Sequence, residues 1–168
     1  KVAYNCFEFL ACRSYKYFEK IAVTNKTEKD YFRKKSISAI LNFNGISQEQ
    51  FDQLSSIEVK QPKEELVVSY VGKVGVAQNL GFIIDVAKQL PNVVFNIVGY
   101  GPLYSDFKSK VELNSLANVN VPGSANWEQV FKYYRDADIL YAQLTNDYSG
   151  AMPSKLYQYL CSSRFIIY

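Results

Sequence analysis

An α/β fold, a parallel sheet covered by helices on both faces, is the architecture this sequence points to. Three observations carry that expectation. From Leu66 to Tyr168, apolar β-rich runs alternate with stretches of helical periodicity. The changes of period are punctuated by Gly, Pro, Asn or Ser. Apolar residues make up 48% of the 168, enough for a packed core and too many for a chain that stays disordered.

Taken in order, residues 4–18 read as an amphipathic helix with Tyr4, Phe7, Leu10, Ala11, Ser14 and Phe18 near one face. "KIAVTN" reads as a short strand, after which Thr24 or Asn25 caps the helix "KTEKDYFRKK". Its early acidic and late basic residues suit the helix dipole. "ISAILNF" is a second strand, ending at the turn pair Asn44-Gly45. The polar, proline-bearing "SSIEVKQPKEE" marks a linker centred near residues 57–65. The strand "LVVSYV" then leads into the helix "AQNLGFIIDVAKQL", where Leu80, Ile83, Ile84, Ala87 and Leu90 keep the 3.6 period until Pro91-Asn92. "VVFNIV" runs into "GYGP" and a weaker helix from Tyr104 to Leu113. "NVNV" runs into "PGSAN", with Asn126 as N-cap of "WEQVFKYYRDA". "DILYAQL" runs into the loop "TNDYSGAM", Pro153 takes the first helical position of "PSKLYQYLC", and "FIIY" is the last strand. Alternation of this kind builds a parallel sheet with helices on either side.

Composition removes several kinds of chemistry. The chain has no histidine, which excludes Ser/His/Asp and Cys/His nucleophilic machinery within it. Cys6, Cys12 and Cys161 form no CxxC pair and read as free thiols of a reducing cytoplasm, so no metal site is expected. No apolar run reaches the length of a membrane span, and the charged, aromatic first twenty residues are not a signal peptide. The absence of an initial Met suggests a piece of a longer chain. Residues 1–45 hold nine Lys/Arg against four Asp/Glu, and residues 46–168 hold ten against twelve. The basic, aromatic front section reads foremost as the solvated side of an ordinary helix. Contact with an anionic membrane surface is the alternative, and nucleic-acid binding ranks last.

Right-handed crossovers bring the strand C-termini of such a sheet to one edge, where ligands bind. The loops expected there are "GKVG", "GYGP", "PGSAN" and "TNDYSGAMP". Neither standard phosphate motif fits. Gly72 to Ala77 is not GxxxxGK[ST]. Gly72 and Gly75 have the wrong spacing for GxGxxG, and Gly99-Tyr100-Gly101 is followed by Tyr104 where the third glycine belongs. What remains is a turn that offers the amides of a helix N-terminus near Gly75 to Gln78, with Lys73 inside the turn. Lys155 falls in the first turn of the helix begun by Pro153, where the dipole disfavours a cation by a few tenths of a kcal/mol, so it either bends into water or meets an anion. Asp147 is the single acid of these loops, which argues for phosphate neutralisation by lysines and amides and against a protein-held Mg²⁺.

The ordered set "YVGKVGVAQNLGFIIDVAKQLPNVVFNIVGYGP", "NVNVPG", "WEQVFKYYRDADILYAQL" and "GAMPSKLYQYLCSSRFIIY" resembles the C-terminal half of group-1 glycosyltransferases of the GT-B fold, retaining enzymes with two Rossmann-like domains. The resemblance implies that residues 1–57 are the end of an N-terminal domain with its connection, and that residues 58–168 are a donor-binding Rossmann-like domain truncated at its end. It implies a nucleoside-diphosphate sugar as ligand, without metal or other cofactor, and a carbohydrate or lipid-linked acceptor. The location it implies is the cytoplasm or the inner face of the membrane, in cell-surface polysaccharide synthesis. It puts Lys73 at the diphosphate as one member of the family's basic pair, which is otherwise incomplete here; Lys155 is read as supplying the other charge, and the two lysines are the expected catalytic residues. Gly72, Gly75, Gly99, Gly101, Val121, Gly123, Asp147, Gly150, Ser154 and Gln158 become donor-binding residues, with the backbone from Val121 to Gly123 near the base. Gly150 and Gln158 stand where a typical member has two glutamates. That departure keeps a non-catalytic nucleotide-sugar-binding subunit open as the alternative; an epimerase and an oxidoreductase are weaker rivals.

Overall fold

The structure is a computed structural model that describes residues 2–61, 65–148 and 150–168. The chain divides into two compact units, one running up to Gly45 and including Gly150–Met152, the other taking Ile46–Ser149 and Pro153–Tyr168.

The first unit holds α1 (Val2–Tyr15), β1 (Ala22–Val23), α2 (Lys26–Lys34) and β2 (Ile40–Leu41), with the two strands parallel. Asn25 is the cap of α2: its side chain accepts from the Glu28 amide at 2.8 Å, while the Glu28 carboxylate reaches back to the Thr24 amide. Glu8 links α1 to α2, accepting from the Tyr31 hydroxyl at 2.9 Å and pairing with Lys35 at 2.9 Å. The expected apolar face of α1 is not covered, and none of its described residues is buried. Two strands of two residues each offer no sheet face wide enough to bury it.

The second unit begins with α3 (Gln48–Ser55), a helix the sequence pattern did not announce; Ser47 caps it by accepting from the Gln50 amide. Its sheet comprises β3 (Leu66–Val71), β4 (Val93–Val98), β5 (Val119–Gly123), β6 (Ile139–Tyr141) and β7 (Phe165–Ile167) in the order β5-β4-β3-β6-β7, all parallel. The chain moves outward from β3 to β5, then crosses back over β3 to β6, so the order reverses between β3 and β6. α4 (Phe82–Gln89) and α5 (Tyr104–Leu113) cover one face, and α6 (Trp127–Asp136) and α7 (Lys155–Leu160) cover the other. Period-two alternation sorts the strands between the two cores: Val68 and Tyr70 join Ile83, Ile84 and Phe107, while Val71 and Leu140 join Leu54, Tyr134 and Tyr159.

Three element ends differ from the sequence reading. The helix expected from Ala77 starts only at Phe82. Before it lies one 3₁₀ turn, Val76–Gln78, closed by Asn79 in a left-handed conformation with φ 41°. The strand expected over 138–144 stops at Tyr141, because Gln143 and Thr145 turn aside to bond the loop after β3. α7 begins at Lys155, with Ser154 preceding it in helical geometry but without a side-chain cap; Pro153 therefore lies outside the helix.

The described part of the expected linker is held, not free. Ile57 is buried, and Lys60 pairs with Asp138 at 2.8 Å while the other oxygen of that carboxylate accepts from the Val67 amide. Arg164 donates to the carbonyls of Glu58 and Arg135, both at 2.7 Å. Residues 62–64 of that linker lie outside the described residues.

Candidate functional site

The strand order reverses between β3 and β6, and the C-terminal ends of strands at such a reversal are the place where open α/β sheets bind ligands. Sequence dictates what lines it. Gly72 follows β3 with φ 152°, a conformation other residues avoid. Its amide donates to the Val98 carbonyl at 2.8 Å, and the Val74 amide donates to the Tyr100 carbonyl at 3.1 Å, which ties the turn after β3 to the turn after β4. The two turns lie backbone on backbone. A Cβ at Gly99 (φ 138°) would overlap the Gly72 carbonyl, and one at Gly101 would overlap the Val74 carbonyl. These two glycines are thereby explained as packing partners of the turn.

The turn leaves donors free. Among the described residues the amides of Gly75, Val76 and Ala77 donate to no backbone carbonyl, whereas the Gln78 and Asn79 amides are satisfied within the 3₁₀ turn. The helix N-terminus expected here is therefore a single 3₁₀ turn carrying little macrodipole, and its anion-binding capacity resides in the three amides themselves. The loop after β6 fixes the turn from the other side. The Thr145 amide donates to the Ala77 carbonyl at 2.8 Å, and the Gln143 side-chain amide donates to the Gln78 carbonyl at 3.0 Å. The Tyr141 hydroxyl holds Gln143 in turn.

Lys155 is the buried charged group beside this turn. From the first position of α7 its side chain returns to β3, placing Nζ 3.6 Å from the Tyr70 ring centroid. Nζ is buried and has no hydrogen-bond partner among the described residues. It lies against Gly72, where an added Cβ would be 2.6 Å from Nζ. Burial alone pulls the lysine down to a pKa of about 7. Tyr70, which donates to the Lys73 carbonyl at 2.6 Å, is pushed above its ordinary value by the same burial. Lys73 is exposed, with its stem against Gly75.

The remaining expected residues separate into three groups. Val121 and Gly123 lie at the end of β5, where the Val121 carbonyl accepts from the Tyr104 hydroxyl at 3.2 Å and the Gly123 carbonyl from the Gly99 amide at 2.8 Å. Gln158, one turn beyond Lys155 on α7, accepts from the Tyr134 hydroxyl at 2.8 Å. Asp147 and Ser154 are exposed at the end of the loop after β6 and ahead of α7, and Gly150 belongs to the first unit, where its Cβ position is 3.2 Å from Thr27 Cγ2. Sequence reasoning missed Tyr70, Gln143 and Thr145. Tyr70 had a legible signal, the one ring in the strand Leu66–Val71 and two residues before the turn glycine; Gln143 and Thr145 had none.

The family described as Glycosyl transferases group 1 matches residues 52–165, more than half of the chain. The chain belongs to this family. No curated protein sequence matches it. Among solved structures, HepE of Anabaena in complex with UDP-glucose superposes with TM-score 0.69 at 12% identity, over 94% of this chain and 46% of that one. A TarM variant of S. aureus in complex with fondaparinux, alpha-GlcNAc-glycerol and UDP gives 0.66 at 17% identity, over 95% and 31%. WaaG, a glycosyltransferase involved in lipopolysaccharide biosynthesis, gives 0.66 at 15% identity, over 88% and 43%. The chain thus has the partial GT-B, Rossmann-like architecture and spans less than half the length of these proteins. No helix among its described residues is long and apolar enough to cross a membrane.

Proposed function

We propose that this glycosyltransferase chain grips the diphosphate of a nucleoside-diphosphate sugar, and that the whole protein transfers the sugar to a hydroxyl of a carbohydrate or lipid-linked acceptor with retained stereochemistry. One observation carries the reading: a buried ammonium, Lys155, abuts a turn with three free amides at the reversal of strand order, none of them with a partner among the described residues. The UDP and UDP-glucose bound by the structural relatives support it.

In this reading the turn from Gly72 to Ala77 and Lys155 hold the diphosphate, with Lys73 as the outer charge. The backbone from Val121 to Gly123 faces the base, Gln158 the ribose, and Asp147 and Ser154 border the sugar. Gly99 and Gly101 serve the site by seating the turn. As the glycosidic bond breaks, negative charge grows on the leaving diphosphate, and donors already fixed in place stabilise it without reorganising. No metal is required, since an ammonium and amides supply the positive potential. The departing phosphate takes the acceptor proton, so a reaction without histidine is self-consistent. Hexosyl or hexosaminyl transfer in cell-surface polysaccharide synthesis, on the cytoplasmic side of the membrane, follows as the biological setting. Residues 1–57 belong in this account to the end of the acceptor-side domain with its connection, residues 58–168 to the donor domain, and the isolated chain binds without turnover.

Calorimetry of the chain with UDP, GDP and ADP tests this, repeated with Lys73→Ala and Lys155→Ala. Tight binding of one nucleotide that weakens at least tenfold with Lys155→Ala is expected; affinity unchanged by both substitutions refutes the assignment. A second reading, a nucleotide-sugar-binding subunit without catalysis, is favoured by Gly150 and Gln158 in place of two glutamates. The whole protein binding donor without transferring its sugar would decide for it.

A further inference from the structure

The ammonium of Lys155 stands where nothing in the described protein compensates it. Tyr70 of β3 lies beneath it, and the ring next to Tyr70 is Tyr141 of β6, whose hydroxyl is pushed upward by burial and so neutral at physiological pH. Tyr159 of α7 and Tyr134 of α6, packed on each other in the opposite core, are likewise held neutral by burial. The turn contributes only another cation, Lys73, and desolvation is what draws the Lys155 ammonium down. The face of a tyrosine ring offsets part of that penalty but supplies no hydrogen bond. An anion arriving at the amides of Gly75 to Ala77 is the first counter-charge the lysine meets, and an adjacent opposite charge favours the protonated form.

We infer that the site takes up a proton together with the diphosphate, with Lys155 as the proton carrier, so that donor binding weakens as pH rises through neutrality. This rests on the rim being the diphosphate site. In the free chain the lysine, drawn to about 7 by burial, is half deprotonated at neutral pH and almost wholly so at pH 8.5. In the complex it stays protonated across that range, so each pH step above 7 costs affinity in proportion to the ammonium form lost. From pH 6 to pH 8.5 the loss is about thirtyfold. An arginine at this place remains charged and would bind without that slope.

The test is calorimetry of the chain with UDP-glucose, whose diphosphate does not ionise in this range, in buffers of different ionisation enthalpy at matched ionic strength. The slope of observed heat against buffer enthalpy counts protons taken up. About one proton at pH 8.5 and almost none at pH 6 are expected, with none at either pH for Lys155→Met or Lys155→Arg. Binding at pH 8.5 without proton uptake, or uptake that persists in Lys155→Met, overturns the inference and leaves the diphosphate site standing. If UDP-glucose, GDP-mannose and ADP-glucose all fail to bind at both pH values, the diphosphate reading falls and the inference with it.

Discussion

Lys155→Met should make the protein more stable while it damages the site. The ammonium is desolvated, unpartnered and drawn from its ordinary 10.5 to about 7 in the folded chain. Methionine fills much the same volume and keeps contact with the Tyr70 ring without a charge to bury. The sign follows from proton counts. Below pH 7 both folded and unfolded lysine are protonated, and folding bears the whole burial penalty. Between pH 7 and pH 10.5 the unfolded chain binds more protons, so stability rises with pH; above pH 10.5 the penalty is gone. The shift is worth about 4 kcal/mol at pH 7, of which about 2 kcal/mol is recovered by pH 9. For a domain of this size, 2 kcal/mol moves Tm by about 4–8 °C. Thermal melts of wild type and variant at pH 7 and pH 9 measure this, the difference between the proteins removing contributions from the cysteines and the chain ends. The variant should melt higher at pH 7, with the gap narrowing by pH 9. A variant that melts lower at pH 7, or a gap that widens with pH, refutes the picture of an uncompensated buried ammonium.

Gly99→Ala should cost about 3 kcal/mol or more, because the new methyl meets the Gly72 carbonyl at a φ of 138°; urea unfolding measures it, and a loss below 1 kcal/mol would show that the two turns do not pack as described. Asp138→Ala removes the acceptor for the Val67 amide and strands Lys60, at a cost of about 2–3 kcal/mol. Its nucleotide affinity should be unchanged, since Asp138 lies at the opposite edge of the sheet. Gln158→Glu should tighten nucleotide binding by about tenfold, a carboxylate held by Tyr134 accepting from ribose hydroxyls more strongly than an amide. An unchanged affinity would place the ribose elsewhere.

Much of this architecture was legible in the residues. Parallel strands buried on both sides, such as Leu66–Val71 and Val93–Val98, are written as apolar runs that no other element type explains as well. Asn126 announced α6 as its N-cap, and the structure adds the reciprocal bond from Gln129 that completes a capping box. α3 was not legible, because Phe51 and Leu54 alone set no period, and Leu54 is fully buried only through tertiary packing against α6 and α7. The start of α4 was missed because Asn79 adopts a left-handed conformation that lets the 3₁₀ turn receive Gln143. Of the candidate site, the turn holding Gly72 and Lys73 was readable from its glycines, and the place of Lys155 at a helix start from Pro153. The aromatic bed beneath Lys155 and the bonds from Gln143 and Thr145 join residues some 65 to 85 positions apart in the chain, and no local pattern encodes such contacts.

A crystal structure of the chain with UDP tests the central claim most directly. The account predicts a terminal phosphate oxygen within hydrogen-bond distance of Lys155 Nζ and of at least one amide from Gly75 to Ala77. A diphosphate seated elsewhere, with Lys155 still lying unpartnered on Tyr70, would contradict it.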